Sequence, residues 1–168
     1  MKNYKKNQQG VGLMEVLVAL LLIAIGVLGF VALQFRAMDA ANEAADRTFA
    51  INIARDLAER MRVNKTAFDQ YKKSINDNKK DDSGCLKLAT TDTANCSTTK
   101  MADFDASEIN SKAEQQGHRV KIDTCKGSQL SCVYVAWGDT DIDTSLDACV
   151  ADDGSYKPNA QCLVMEAY

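Results

Sequence analysis

A long apolar run near the N-terminus constrains the chain more than any other feature. From Val16 to Leu33 no side chain is charged or strongly polar, and the run extends back to Val11 with Glu15 as its one acidic residue. A helix needs about 20 predominantly apolar residues to cross the hydrocarbon layer of a bilayer. The sequence therefore predicts a membrane-spanning helix over residues 11–35.

The segment before this run is basic and predicts the orientation of the helix. Lys2, Lys5 and Lys6 lie within residues 1–10, which contain no acidic residue. Because positively charged flanks are retained in the cytoplasm, we expect the rest of the chain to lie on the other side of the membrane.

A secretory signal peptide is a poor match to this N-terminus. Such signals have an apolar stretch of roughly 7–15 residues followed by small residues at the cleavage site. The run here is longer, and Gln34, Phe35 and Arg36 follow it. A small residue does precede the run, at Gly10, and cleavage there would remove the lysines while leaving the membrane helix as the new N-terminus.

The residues around this glycine resemble the processing site of type IV prepilins and related pseudopilins. The stretch reads Gly10-Val-Gly-Leu-Met-Glu15 and follows a short basic leader, residues 1–10. The resemblance implies that a prepilin peptidase cuts after Gly10 and that an N-methyltransferase modifies the new N-terminus at Val11. It also implies that Glu15 is the acidic residue that the family has at the fifth mature position. Val11 departs from the phenylalanine that the family has more often.

Glu15 is an ionisable group within the predicted membrane helix, where such groups usually have a partner or a function. It lies about one helical turn after Val11. If helices from several copies pack in parallel with a stagger, the amino terminus of one copy can meet the Glu15 carboxylate of the next, and both charges are neutralised. This pairing predicts that Glu15 sets the axial register of an assembly. The alternative is a carboxyl group that reaches lipid headgroups or stays protonated.

A second helical pattern continues from the first. Apolar side chains recur at spacings of three and four residues from Phe35 to Met61, and no proline interrupts them. We therefore expect an amphipathic helix over residues 36–63 that packs against a folded domain. Opposite charges four residues apart support a helix there. These pairs are Glu43 with Arg47, Arg55 with Glu59, and Asp56 with Arg60.

The end of this helix resembles one particular group within the pilin family. Leu57-Ala-Glu-Arg-Met-Arg-Val-Asn64 resembles the stretch that closes the long helix in V-type minor pilins, also called type IV pilus modification proteins. The start of the helix, Glu15-Val-Leu-Val-Ala-Leu20, is shared with minor pseudopilins of type II secretion and does not separate the two groups. The charged side chains near the helix end are also interpreted as a solvated helix face. They are Arg55, Glu59, Arg60 and Arg62.

The remaining residues predict a small head domain, which makes the chain α+β. Residues 64–117 read as a variable loop region with short helices, one near Tyr71 and one over residues 100–116. Residues 118–168 read as an antiparallel sheet with a C-terminal disulfide loop. The strand patterns are Arg119–Thr124, Val133–Trp137 and Cys162–Tyr168. We expect the apolar face of this sheet to pack on the amphipathic half of the long helix, as the type IV pilin fold implies.

All six cysteines lie in the part of the chain that is predicted to be exported. An even number in an oxidising compartment predicts three disulfides, for which fifteen connectivities are possible. We predict sequential pairing because each bridge then closes a short loop. The predicted pairs are Cys85 with Cys96, Cys125 with Cys132, and Cys149 with Cys162.

Candidate chemistry outside assembly is sparse. Asp139, Asp141 and Asp143 alternate like the first ligands of a calcium loop, but the glycine and the later acid of such a loop are missing, so we favour a solvated acidic turn. His118 has no nucleophile context and is interpreted as a surface residue or one at the start of a strand. We predict no catalytic site and no cofactor. The net charge of −3, which falls to about −6 when the three leader lysines are lost, gives no support for nucleic-acid binding.

The resemblance implies a minor pilin of a type IV pilus, placed at or near the tip, that helps to prime pilus assembly and supports adhesion and twitching motility. Its partners would be other minor pilins, the major pilin, the prepilin peptidase and the inner-membrane assembly machinery, with a large tip adhesin as a further candidate. The protein would be a substrate of enzymes and not an enzyme. It would span the inner membrane once with a periplasmic head, and lie in the extracellular pilus after assembly. The alternatives are a minor pseudopilin of type II secretion and a single-pass periplasmic binding or sensor protein.

Overall fold

The computed structural model describes residues 12–80, Cys85 and residues 96–167. The chain divides into two compact units, Met1–Ala44 and Ala45–Tyr168. The first helix, α1 (Leu13–Val63), contributes to both units. The long N-terminal helix predicted from the apolar pattern is therefore confirmed.

Within the first unit, α1 has no buried core. Every large apolar side chain from Leu13 to Met38 is exposed to solvent. Leucine, alanine and methionine favour the helical state, and the apolar residues surround the helix on all sides. By length and composition alone, α1 is apolar enough to cross a membrane.

Within the second unit, α1 is amphipathic. Its buried residues are Ala50, Ile53, Ala54, Leu57 and Met61. The predicted apolar face is thus correct for the last turns of the helix, whereas Phe35 and Met38, which share its spacing, are exposed. The buried face begins only at Ala50, because the described head contributes core side chains to the later turns alone.

Two shorter helices lie in the segment that was predicted as a variable loop region. Helix α2 (Phe68–Asn76) follows a 3-10 turn, and α3 (Thr98–Gln115) begins after Ser97. The Ser97 hydroxyl accepts a hydrogen bond from the Lys100 backbone N–H at 3.3 Å and so caps the first turn of α3. The predicted helix over residues 100–116 is therefore confirmed with a slightly earlier start.

The sheet is antiparallel and has three strands in the order β1-β2-β3. The strands are β1 (Arg119–Thr124), β2 (Ser131–Ala136) and β3 (Cys162–Glu166). This confirms the α+β class and all three predicted strands, with β2 beginning two residues earlier than expected and β3 ending before the chain terminus.

Both faces of the sheet are covered, which the sequence analysis did not predict. Val133 and Val135 of β2 join a core with the three helices, whereas Tyr134 and Ala136 join a second core on the opposite face. Because neighbouring side chains of a strand point to opposite faces, a strand buried on both sides loses its polar alternation. We call the second cluster the outer core. It consists of Cys125, Cys132, Tyr134, Ala136, Ile142, Cys149, Val150 and Cys162.

The free edge of β1 is blocked by a side chain of α2. The Asn76 amide donates to the Ile122 carbonyl and accepts from the Ile122 N–H, both at 2.9 Å. An unpaired strand edge is a template for unwanted pairing with other chains. Asn76 occupies the position that another strand would take, and so it fixes α2 beside the sheet.

Candidate functional site

The first turn of α1 contains Glu15, the residue predicted to set the register of an assembly. Its backbone N–H donates to the Gly12 carbonyl at 2.8 Å, so the first turn of α1 is formed at Glu15. Glu15 is exposed. Gly10 and Val11, the predicted cleavage site and methylated terminus, lie outside the described residues, so the distance from Glu15 to that terminus stays a prediction.

The surface that follows Glu15 is apolar on every side. Leu22 is 64% exposed and Leu28 is 69% exposed, and alanines and glycines separate the larger side chains. Exposed apolar surface on this scale marks a site of contact with protein or membrane. In chemical terms this part of α1 can only partition into lipid or pack against other apolar helices.

Arg60 links α1 to α3 through an ion cluster. Its guanidinium lies 2.6 Å from the Asp105 carboxylate, 2.8 Å from Glu108 and 2.8 Å from Asp56 one turn earlier in α1. The predicted pairing of Asp56 with Arg60 is therefore present. Burial would raise the pKa of Asp56, but the hydrogen bond and the charge of Arg60 outweigh it and hold that pKa below its usual value.

This arrangement corrects the interpretation of Arg60 as part of a solvated face. Only 23% of its side chain is exposed, because α3 covers it. The Tyr71 hydroxyl of α2 donates to the same Asp105 carboxylate, and burial together with that carboxylate raises the pKa of Tyr71. The signature at the end of α1 therefore has a structural role that joins three helices.

A second buried carboxylate, Asp103, lies two residues earlier on α3. It accepts hydrogen bonds from the Gln70 amide and the Ser74 hydroxyl of α2, and it lies 2.7 Å from the Lys79 ammonium. The residue as a whole is 8% exposed. Burial would raise its pKa, but the hydrogen bonds from Lys79, Ser74 and Gln70 hold that pKa below the usual value.

Sequence analysis did not single out Asp103 and Asp105. The available signal was the acidic spacing Asp103, Asp105 and Glu108 on one predicted helix, opposite a basic signature in α1. That signal is weak, because charged residues on a helix are usually solvated.

His118 lies immediately before β1, as one of the two interpretations expected, but it is buried and not a surface residue. It is 2% exposed, with its ring between Phe49 of α1 and Trp137 at the end of β2. The two ring nitrogens face the backbone carbonyl groups of Gln116 and Asp46, and among the residues that the structure describes no serine, threonine or cysteine side chain is hydrogen-bonded to the ring.

The six cysteines pair sequentially in the structure: Cys85 with Cys96, Cys125 with Cys132, and Cys149 with Cys162. The second bridge closes the β1–β2 hairpin, and the third ties the long loop after β2 to the start of β3. Lys126 in the hairpin lies 2.8 Å from Asp152 and 2.9 Å from Asp147 of that loop. These two carboxylates raise the pKa of Lys126.

The carboxylates of two candidate calcium residues, Asp141 and Asp143, contact other protein groups. Asp141 accepts from the Asp143 N–H at 2.8 Å and from the Thr144 hydroxyl at 3.2 Å, which forms a local turn. The Asp143 carboxylate lies 3.2 Å from Lys121 of β1, and the Asp139 N–H donates to the Gln161 side chain. Across residues 12–80, Cys85 and residues 96–167, no group of three or more histidine, cysteine or acidic residues is arranged to hold a metal ion.

Two family models match the chain. A model of the prokaryotic N-terminal methylation motif matches residues 5–31, and a model described as type IV pilin Tt1218 matches residues 32–107. Over residues 32–107 the chain is therefore similar to type IV pilins. No curated protein and no solved structure matches it.

The two matches agree with the observed fold. The long apolar helix, the small antiparallel sheet and the disulfides make up the α+β type IV pilin fold. Type IV pilins are structural proteins, and the methylation motif over residues 5–31 marks a substrate of modification. Both matches imply processing by a prepilin peptidase and contact with the pilus assembly machinery, and they fit a membrane-anchored pilin that is later assembled into the pilus.

Proposed function

We propose that this pilin is a minor pilin that enters the type IV pilus at or near its tip and helps to prime assembly. The resemblance of Leu57–Asn64 to the V-type minor pilins supports this, in addition to the pilin domain and the methylation motif. In this role it supports surface adhesion and twitching motility. Its partners are other minor pilins, the major pilin, the inner-membrane assembly machinery and a large tip adhesin.

The observation that carries the proposal is the exposed apolar surface of α1 behind Glu15. Removing apolar surface from water is worth about 25 cal/mol per Å². The helix therefore needs the inner membrane before assembly and neighbouring helices afterwards. The leader lysines orient the chain with a periplasmic head, which becomes part of an extracellular pilus.

Mass spectrometry of the chain purified from its native membrane and from sheared pili tests the processing step. We expect the mature chain to begin at a methylated Val11. A chain from either source that still begins at Met1 would contradict the proposal and would favour a free-standing single-pass periplasmic binding or sensor protein.

The register role of Glu15 is tested by comparing Glu15→Ala with Asp39→Ala. Both residues are exposed acids on α1, but only Glu15 is at the position that the new amino terminus can meet. We expect Glu15→Ala to insert into the membrane normally and to be strongly depleted from sheared pili, whereas Asp39→Ala is incorporated like the wild type. Equal incorporation of both variants would rule out the register role.

The pseudopilin alternative rests on the shared start of the helix, Glu15–Leu20. Deleting the gene separates the two functions. A pilin predicts the loss of surface pili with intact release of exoproteins, and a pseudopilin predicts the reverse.

A further inference from the structure

A cavity of about 290 Å³ lies between the ends of α2 and α3 and the start of β1. This volume is close to the lower limit of small-molecule sites in proteins, about 300 Å³. Its apolar lining comes from Ile75, Ala113 and Val120, and most of the remaining lining is polar. The cavity can therefore hold one small molecule that has both apolar and polar parts.

Asn110 of α3 places an amide oxygen without a protein partner at this cavity. The residue is only 7% exposed, and its amide nitrogen donates to the Ile75 carbonyl at 3.2 Å, which fixes the orientation of the amide. Among the residues that the structure describes, the amide oxygen accepts no hydrogen bond. In the described buried and half-buried residues, every polar side-chain atom that is sealed from solvent has a partner, so this oxygen reaches the cavity that Asn110 lines. A nearly buried acceptor of this kind needs a donor from a ligand or from water.

The charged side chains that line the cavity are held by neighbouring groups and have no net formal charge. Asp143 lies 3.7 Å from Arg119 and 3.2 Å from Lys121. On α3, Glu114 supplies the second carboxylate and accepts a hydrogen bond from the Asn78 amide. Because two cations and two anions cancel, a charged ligand of either sign gains no net attraction and meets like charge in the cavity.

We propose that this cavity binds one uncharged sugar unit. A hydroxyl group donates and accepts hydrogen bonds at once, so sugar hydroxyls can donate to the Asn110 oxygen and the carboxylates and accept from Lys121. The C–H face of the sugar ring lies on the apolar lining, since small-molecule sites combine apolar walls with a few placed polar groups. The site goes beyond the proposed function, because it belongs to the head alone and does not depend on incorporation into a pilus.

Saturation-transfer NMR tests binding directly on the full-length oxidised chain. The protein is kept in dodecylphosphocholine micelles, because a detergent with a sugar headgroup would compete for the site. The probes are glucose, galactose, mannose and N-acetylglucosamine, each as the free sugar and as its methyl glycoside, with N-acetylneuraminic acid as the charged comparison. We expect at least one of the uncharged sugars to bind at millimolar concentration.

The two forms of each sugar distinguish the sources of the ligand. The methyl group stands for the link to a longer glycan, so binding of a methyl glycoside identifies the end of a glycan as the ligand. Binding of the free sugar alone identifies a soluble sugar, and either result supports the site. No binding by any uncharged probe, or tighter binding of N-acetylneuraminic acid than of all of them, would overturn the proposal.

Two variants locate the bound sugar. Asn110→Leu removes the amide oxygen at similar side-chain volume and should weaken binding about tenfold, because a buried acceptor loses its donor. Since this change also removes the bond to Ile75, Glu114→Ala at an exposed position serves as the second variant, with Gln115→Ala as its control. Gln115 is the exposed next residue of α3 and does not line the cavity. Equal binding by Glu114→Ala and Gln115→Ala, or unchanged binding by a folded Asn110→Leu, would place the sugar elsewhere and overturn the site.

Discussion

Arg60 of α1 and Asp105 of α3 form an ion pair at 2.6 Å although they are 45 residues apart in sequence. The Asp105 side chain is 11% exposed and also accepts from the Tyr71 hydroxyl. One carboxylate thereby joins α1, α2 and α3. Because a buried carboxylate without its cation is costly, this pair makes the position of α3 on α1 specific.

Replacing Arg60 with methionine should destabilise the head by about 2 kcal/mol. Removing one partner of a fully buried ion pair costs about 3–5 kcal/mol, and the partial exposure of Arg60 reduces this value. Methionine keeps the apolar stem, so the loss reports the missing charge and hydrogen bonds. Urea unfolding of the oxidised chain in detergent measures it.

Arg62→Met is the matched control for this change. Arg62 lies two residues later in the same helix and is exposed. A surface substitution of this kind usually changes stability by less than about 0.5 kcal/mol. Similar losses in the two variants would mean that the ion cluster contributes nothing specific.

Asp103 should make the head sensitive to acid. Its hydrogen bonds to Lys79, Ser74 and Gln70 hold its pKa below the usual value despite burial. Protonation therefore favours the unfolded chain, so the stabilising contribution is complete above the usual carboxyl pKa of about 4 and is lost as the pH falls below it.

The measurement is the urea midpoint at pH 7 and at pH 3 in the wild type and in Asp103→Asn. We expect the variant to be less stable at pH 7 and to lose less stability on acidification. Asp77→Asn serves as the control, because Asp77 is an exposed acid at the end of α2. If Asp103→Asn loses as much stability on acidification as the wild type does, Asp103 is not the source of the acid sensitivity.

The elements of the fold could be predicted because their signals are local. The apolar run and the alternation in Arg119–Thr124 are each contained within one continuous stretch of sequence. The sequential disulfides also follow from short spacings.

The ion clusters and the outer core could not be predicted in the same way. Arg60 meets Asp105 only after α3 has packed on α1, and Ile142 reaches the sheet only through a loop that the third disulfide restrains. The burial of His118 has the same cause, since its neighbours Asp46 and Trp137 come from different parts of the chain. Side-chain contacts of this kind depend on tertiary packing that no local pattern encodes.

Gly127 in the β1–β2 hairpin should not tolerate a side chain. Its φ is +80°, and a Cβ atom there would lie 2.9 Å from the backbone oxygen of Asp153. Gly127→Ala therefore adds a collision with the disulfide loop to the strain of a left-handed backbone, and we expect a loss of about 2–3 kcal/mol.

Gly117→Ala provides the matched control for the backbone strain. Gly117 has a similar φ of +72°, but a Cβ atom there would meet nothing within 4 Å. We expect this variant to lose only about 1 kcal/mol, the cost of the left-handed conformation. Thermal unfolding of the two variants measures both losses of stability. Equal losses would show that a side chain at position 127 does not clash with the disulfide loop.

The disulfide between Cys149 and Cys162 should contribute more than loop closure alone. It encloses 13 residues of separation, and the Cys85–Cys96 bridge encloses 11, so the entropic stabilisation is about 3 kcal/mol for each. Cys149 is fully buried in the outer core, whereas Cys85 is 7% exposed and is not among the described members of either core cluster. We therefore expect Cys149→Ala with Cys162→Ala to lose about 1–2 kcal/mol more than Cys85→Ala with Cys96→Ala, because the outer core also loses packing. Urea unfolding measures both losses, and limited proteolysis should cut the first variant between residues 138 and 161. Equal losses with no cleavage in that loop would mean that the outer core is held by the hydrogen bonds of β2 and β3 without the bridge.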